Sequence, residues 1–458
     1  MTGYDHDLIV IGSGGAAMAA GIAARARGAD VLLVERGTLG GTCLNVGCVP
    51  SKTLLAAAGR RSAAKANPFS GVPTGEVGAV DLRSLVDQKD RLIEAMRQAK
   101  YAEVAAAHGF EIRSGNARFA DPDTLLVDGE PLTARAYLIA TGADPALPDL
   151  PGLDGVEVLT STTAMELTAL PGSLLVIGGG YVGMEQAQIF AGLGTHVTLV
   201  GRLAPHTEPE LREVMRGAFA RAGITVVQQR AVAVQALGGG AAVVTDGGGR
   251  WEAERLLVAT GRVPRSADLD PAAGSVGLDS RGFVLVDDRQ RTSNPRVWAA
   301  GDVSGAPQFV YVAAATGRVA AQNALGGDTW VHWAGLPAVT FTRPQIAGAG
   351  LTEQQARDAG YDCDCRVLGA RDISRALVEH APLGALKLVA DAATGKVLGV
   401  HAALDGAGEM MLAATYAITA GMTVDDLADT WAPYLTVAEG LRIAAGLYRS
   451  DKPTSCCA

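Results

Sequence analysis

The sequence predicts an α/β fold with two Rossmann-like dinucleotide-binding domains and a smaller C-terminal α+β domain, and three observations carry that prediction. A strand, glycine loop, helix and second strand run from Leu8 to Glu35, and the same unit recurs from Ser173 to Arg202. Each unit is followed, much later, by an apolar strand running into the same tripeptide, Ala140-Thr141-Gly142 and then Ala259-Thr260-Gly261. Past Trp330 the pattern changes to short strands, with a hairpin at ALKLVADAATGKVLGVHAAL. A chain of 458 residues is also long for one hydrophobic core.

In the first unit, Gly12, Gly14, Gly15 and Ala17 lead the strand ending at Ile11 into an Ala-rich helix. Glycines here allow a tight turn and let backbone N–H groups approach a pyrophosphate at the helix N-terminus. Glu35, ending VLLVE, stands where a carboxylate accepts hydrogen bonds from a ribose. The next segment, GTCLNVGCVPSK, holds Cys43 and Cys48. A pair so close staples nothing distant, but it can open and close reversibly beside an electron carrier. Pro50 suits a first helical turn and TLLAAAGRRSAAKA has no breaker, so Cys48 is expected to start a helix, whose positive end lowers a thiol pKa. That makes Cys48 the candidate thiolate facing the cofactor and Cys43 the outer thiol that meets substrate.

The second unit repeats the glycines as Gly178, Gly180 and Gly183, so two dinucleotides are expected. Its second strand ends in Gly201 and Arg202 where the first has Glu35. Removing a carboxylate and supplying a guanidinium favours a 2′-phosphate, hence NADPH over NADH; a solvated charge at a strand end is the other reading, and no second Arg follows six residues later. Gly261 closes this domain as Thr141 and Gly142 close the first.

A net charge of -9 and an isoelectric point near 5.4 argue against a nucleic-acid surface. No basic leader with an apolar stretch opens the chain and no apolar run is long enough to span a bilayer, so a cytoplasmic protein with no membrane insertion is expected. Six cysteines, two of them in the close pair, suit a reducing compartment.

Gly41, Gly47, Pro50 and Lys52 stand around the cysteines in the order of the flavoprotein disulfide reductases, which the chain resembles along essentially its whole length. The resemblance implies FAD in the first site, with Gly41 and Thr42 beside it and Lys52 near the flavin, paired with Glu185. It implies that Tyr181 covers the nicotinamide face, and that Gly301 and Asp302 in RVWAAGDVSG form a second FAD-binding motif. Domains are then expected at 1–145 with 270–328 (FAD), 146–269 (NADPH) and 329–458 (dimerisation), with the active site at the interface of a homodimer.

Disulfide-splitting members of that family carry a His–Glu pair near the C-terminus; here the segment reads Tyr434, Leu435, Thr436 and then Glu439, and none of the seven histidines falls in it. A leaving thiolate must be protonated, whereas reduction of a thiolate-bound metal ion needs no such acid. The chain ends in Ser455-Cys456-Cys457-Ala458, two soft thiolates able to capture a soft cation from small thiols and pass it to Cys43 and Cys48. With PYLTVAEGLRIAAG and RALVEH, this resembles the mercuric reductase branch, which implies Hg(II) as substrate and Tyr181 and Tyr434 along its route. Many of that branch carry an N-terminal metal-binding domain; a start so close to the first strand suggests a core form. The alternative is a thioredoxin-reductase-like disulfide reductase with a Cys-Cys relay. Cys363 and Cys365, alternating in a strand, are read as structural, with a second metal site as the other possibility.

Overall fold

The structure is a computed structural model that describes residues 3–450 and 452. Its first sheet has a parallel core in the order Glu111–Ser114, Val31–Glu35, His6–Ile11, Glu130–Ile139, with Val297–Ala299 beside the last. The apolar strand HDLIVI takes the centre because both of its faces are covered: Leu8 and Val10 enter one core with the helix Gly15–Arg25, while Ile9 and Ile11 enter another with Phe119 and Leu125. A second parallel sheet repeats this arrangement in the order Thr225–Val227, His196–Val200, Ser173–Ile177, Arg255–Val258, Val158–Leu159. Leu174 and Val176 again face one core, and Leu175 and Ile177 the opposite one.

The chain passes between these sheets through a two-stranded ribbon, Ala143–Pro145 against Arg262–Pro264. It returns to the first sheet at Val297–Ala299, and the helix Val310–Ala324 then lies on Gly15–Arg25. Small residues allow that approach: a Cβ on Gly317 would sit 2.2 Å from the Ala16 carbonyl oxygen. The last sheet is antiparallel, in the order Pro337–Thr340, Gln345–Gly350, Val397–Leu404, Ala385–Asp391, Cys363–Gly369. One face packs on the helices Ala407–Thr419 and Glu439–Gly446 through Leu386, Leu388, Met410 and Ile443. This is the α/β architecture expected, with a C-terminal α+β unit, and we propose domain boundaries near 145, 269 and 328 along its sheets. No helix among the described residues is long and apolar enough to cross a membrane.

One further packing decides where the chemistry sits. The helix Cys48–Lys65 crosses the helix Tyr181–Leu193 closely enough that a Cβ on Gly192 would come 2.8 Å from that of Ala58. The helix that Cys48 begins is thereby laid along the helix that follows the second glycine loop.

Candidate redox site

Cys48 is the first residue of its helix, and its own backbone N–H faces its sulfur; Cys43 lies in the short helix Gly41–Asn45 just before it. Both thiols are free and half-buried. The Cys43 thiol donates a hydrogen bond to the Cys48 sulfur, and this, with the Lys52 ammonium and the helix N–H, outweighs burial and brings Cys48 down to about 7. The same bond holds the proton on Cys43, whose pKa is raised. The pair is therefore unsymmetrical: one thiolate, one protonated thiol.

Lys52, one turn into the helix, donates to Glu185 Oε2 at 2.7 Å, and Glu185 Oε1 accepts from the Phe341 N–H at 2.9 Å. Glu185 is almost fully buried and Lys52 partly so, and the pair fixes the position of the Lys52 ammonium. The Lys52 ammonium also lies 4.8 Å from the Phe341 ring centroid. Tyr181 begins the second helix, 41% exposed, its ring 6.0 Å from Phe309, which stacks on Tyr311 at 5.2 Å.

Gly12 has φ +114° and Gly178 has φ +114°, and a Cβ on each would meet the carbonyl oxygen of Ala140 at 2.5 Å and of Ala259 at 2.3 Å. Gly14 and Gly180 cap the two helices with extended backbone and no side-chain cap, leaving their first N–H groups free for an anion. A Cβ on Gly41 would sit 2.6 Å from Gly14 Cα, and one on Gly15 3.0 Å from the Val310 Cγ2 methyl, so the loop is closed by the Gly14 backbone on one side and the Val310 side chain on the other. Thr42 and Cys43 follow Gly41 directly. Glu35 accepts from Ser13 Oγ at 2.5 Å and from the Gly37 N–H at 2.7 Å, its carboxylate held at the strand end. Ala17 is fully buried, and Thr141 Oγ1 donates to the Arg265 carbonyl at 2.6 Å beside Gly142. Gly301 donates its N–H to Thr316 Oγ1 at 3.0 Å. Asp302 lies 3.8 Å from Arg262; burial pushes its carboxyl up against the pull of Arg262 and Arg265.

In the second unit, a Cβ on Gly183 would fall 1.9 Å from the Gly178 oxygen, and Gly201 and Gly261 both have positive φ. Arg202 is exposed and close enough to Arg212 to lower the latter's pKa, after burial. Tyr434 is 54% exposed in the C-terminal unit, and Glu439 is buried there with Oε1 3.3 Å from Arg442 and Oε2 without a hydrogen-bond partner. Cys456 and Cys457 lie outside the described residues.

The sequence reading missed four groups around the dithiol. Arg97 holds Asn45 Oδ1 at 2.9 Å, and Asn45 donates to Gly41 O at 3.0 Å, tying the cysteine loop to the helix Leu82–Arg97. Tyr101 and Tyr311 lie near the sulfurs, with burial pushing Tyr101 up to about 12 and raising Tyr311. Phe341 comes from the last sheet. No local pattern marks them, because each arrives from a distant part of the chain.

The sequence pattern of the pyridine nucleotide-disulphide oxidoreductases matches residues 6–317, and that of their dimerisation domain matches 336–445. A mercuric reductase of Streptomyces lividans is 50% identical over 471 residues, covering 100% of this chain and 99% of the relative. The chain belongs to the pyridine nucleotide-disulphide oxidoreductases, among the mercuric reductases. A mercuric reductase of Bacillus cereus is 47% identical, covering 99% of this chain and 73% of the relative. Among solved structures, LpdA of Mycobacterium tuberculosis superposes with a TM-score of 0.86 at 28% identity, covering 96% of this chain and 98% of its own. The HOCl-induced flavoprotein disulfide reductase RclA of Escherichia coli does so with a TM-score of 0.86 at 27% identity, covering 96% and 100%. The residues present fit this family's FAD: the first helix opens at Gly14 with no side-chain cap on its N–H groups, and the buried Arg262 Nε, 3.8 Å from Asp302, lacks a hydrogen-bond partner.

Proposed function

We propose that this chain reduces Hg(II) to Hg(0) at Cys43 and Cys48, using NADPH, and that Cys456 and Cys457 of the partner subunit in a homodimer deliver the metal. The observation that carries the reading is the unsymmetrical dithiol beside a fixed Lys52–Glu185 pair in a chain with tyrosine, not histidine, at 434. FAD, held by Gly12, Gly14, Gly15, Ala17, Glu35, Gly41, Thr42, Thr141, Gly142, Gly301 and Asp302, supplies the electron pair that NADPH brings. Gly178, Gly180, Gly183, Arg202 and Gly261 are the residues assigned to NADPH.

The chain's own groups then act in sequence. Cys43, the outer thiol, displaces one thiol ligand of the arriving Hg(II) and gives its proton to the leaving thiolate. The Cys48 thiolate displaces the second, so two metal–sulfur bonds form as two break. Lys52 and Glu185 keep their ion pair beside the sulfurs. Tyr181 and Tyr434 line the route of the metal, and Glu439, ion-paired with Arg442, positions the loop bearing Tyr434. Reduction of the bound metal by two electrons returns both sulfurs as thiolates and needs no general acid. The reading includes a cytoplasmic location without membrane insertion; no helix among the described residues is long and apolar enough to cross a membrane.

The test is NADPH oxidation by the purified protein in excess small thiol, with Hg(II) in one arm and oxidised glutathione or thioredoxin in the other. Consumption with Hg(II) and release of volatile Hg(0) supports the reading; consumption only with the disulfides would replace it by a thioredoxin-reductase-like relay. Cys456→Ala with Cys457→Ala is expected to slow turnover of Hg(II) held by bulky thiols while leaving reduction of the flavin by NADPH intact.

A further inference from the structure

Cys363 and Cys365 take no part in that mechanism, yet the fold presents them together. They are the first and third residues of Cys363–Gly369, an edge strand of the C-terminal sheet, paired in register with Asp391 and Val389. Residues two apart in a strand share a face. Leu368 on the same strand and Leu386 and Leu388 on the neighbour enter the apolar core, so the cysteines lie on the other face, with Lys387. That face is polar: Lys387 Nζ, 2% exposed, contacts Glu208 at 3.0 Å, Glu210 at 3.0 Å and Glu353 at 2.7 Å, and His401 lies across the ladder from it. Both thiols are free and half-buried. Cys363 donates weakly to the Tyr361 carbonyl at 3.7 Å, which leaves its sulfur lone pairs open.

We infer that Cys363 and Cys365 form an auxiliary site for a thiophilic, two-coordinate cation, separate from the dithiol at Cys43 and Cys48. Strand geometry separates their Cα atoms by about 6.6 Å, at the upper end of what a disulfide tolerates, and the ladder to Asp391 and Val389 keeps the strand from contracting. A bridging metal relieves that mismatch, since two metal–sulfur bonds span about 4.6 Å on the zinc value, against about 2 Å for an S–S bond. Arg357, on the helix Glu353–Asp358, faces both sulfurs, while Glu353, Asp362, Asp391 and Glu208 surround them with negative charge. Burial pushes Cys365 up to about 12, so the empty pair is protonated and unreactive until a soft cation displaces the protons. Two small-thiol ligands leave Hg(II), two bonds to Cys363 and Cys365 form, and the two protons pass to the departing thiolates, with no change of oxidation state. Naming Hg(II) as the cation rests on the substrate reading above.

The test uses full-length protein with Cys43, Cys48, Cys456 and Cys457 all changed to Ser, loaded with Hg(II) chloride in excess cysteine and passed through gel filtration. About one Hg(II) per chain is expected to remain, and to be lost when Cys363→Ser or Cys365→Ser is added. Retention no greater than in a variant lacking all six cysteines, or equal retention by the single-cysteine variants, overturns the site. In the otherwise native chain, C363S with C365S should lower bound Hg(II) by about one per chain at unchanged flavin content; no decrease overturns it too. Hg(II)-dependent NADPH oxidation by the native enzyme is measured alongside. Its absence with the Hg(II) still retained would sink the substrate reading and leave the site standing.

Discussion

The two dinucleotide units solve one backbone problem identically and then diverge at the strand ends. Gly12 and Gly178 share a φ of +114° and the same near-contact with an Ala carbonyl, and Gly14 and Gly180 cap their helices in nearly the same conformation. The first unit tolerates a side chain at Ala17 where the second has Gly183 against the Gly178 oxygen. The first ends its second strand on a fixed carboxylate, Glu35, and runs on into the dithiol; the second ends on Gly201 and an exposed Arg202. The shared part is what a pyrophosphate demands of any chain. What differs is what tells one dinucleotide from another and adds chemistry to one of them.

The largest effect is expected on what the first unit has and the second lacks. Cys48→Ala should reduce Hg(II)-dependent NADPH oxidation to background with flavin content unchanged, measured by absorbance; retained turnover would break the assignment of the dithiol. Next comes the shared backbone. Gly12→Ala and Gly178→Ala each force a Cβ into a carbonyl at positive φ, a strain of about 1–3 kcal/mol before any clash. The first should lose flavin, and the second should stay yellow but fail to be reduced by NADPH; the same phenotype from both would erase the distinction between the units. A smaller effect is expected at Arg202→Ala, where losing a charged hydrogen bond of about 1.5–3 kcal/mol should raise KM for NADPH by roughly ten- to a hundredfold and leave that for NADH unchanged. Equal changes for both would make Arg202 a solvated charge.

The smallest effect sharpens the dithiol itself. Alkylation of Cys48 should rise with pH about a midpoint near 7, because the thiolate reacts and its pKa is depressed by the Cys43 hydrogen bond and, more weakly, by Lys52. Cys43→Ala should move that midpoint upward, and Lys52→Met should move it upward by less. A midpoint unmoved in both variants would mean that the helix N-terminus alone sets it.

Local pattern sufficed for features whose cause is local. The duplicated glycine loops, the helix starting at Cys48 and the Cys363–Gly369 strand could be read directly, because tight turns, helix entry and period-two alternation are dictated by neighbouring residues. The Lys52–Glu185 pair was available only through family resemblance, and its 2.7 Å contact depends on two helices crossing at Ala58 and Gly192. Arg97, Tyr101, Tyr311 and Phe341 could not be read, since nothing near them in sequence marks a site.

The sequence by itself determined the fold class, the two nucleotide loops and the close cysteine pair, since each follows from backbone freedom and spacing within about thirty residues. Spacing also pointed to Cys48 as the thiolate, but only the tertiary structure decided that a Cys43 hydrogen bond and Lys52 hold it so, and that Arg212 comes beside Arg202 from the next helix. It also decided that Cys363 and Cys365 face the buried Lys387 cluster rather than the apolar core. Charge states and faces are set by what lies within a few ångströms, and those neighbours are distant in sequence.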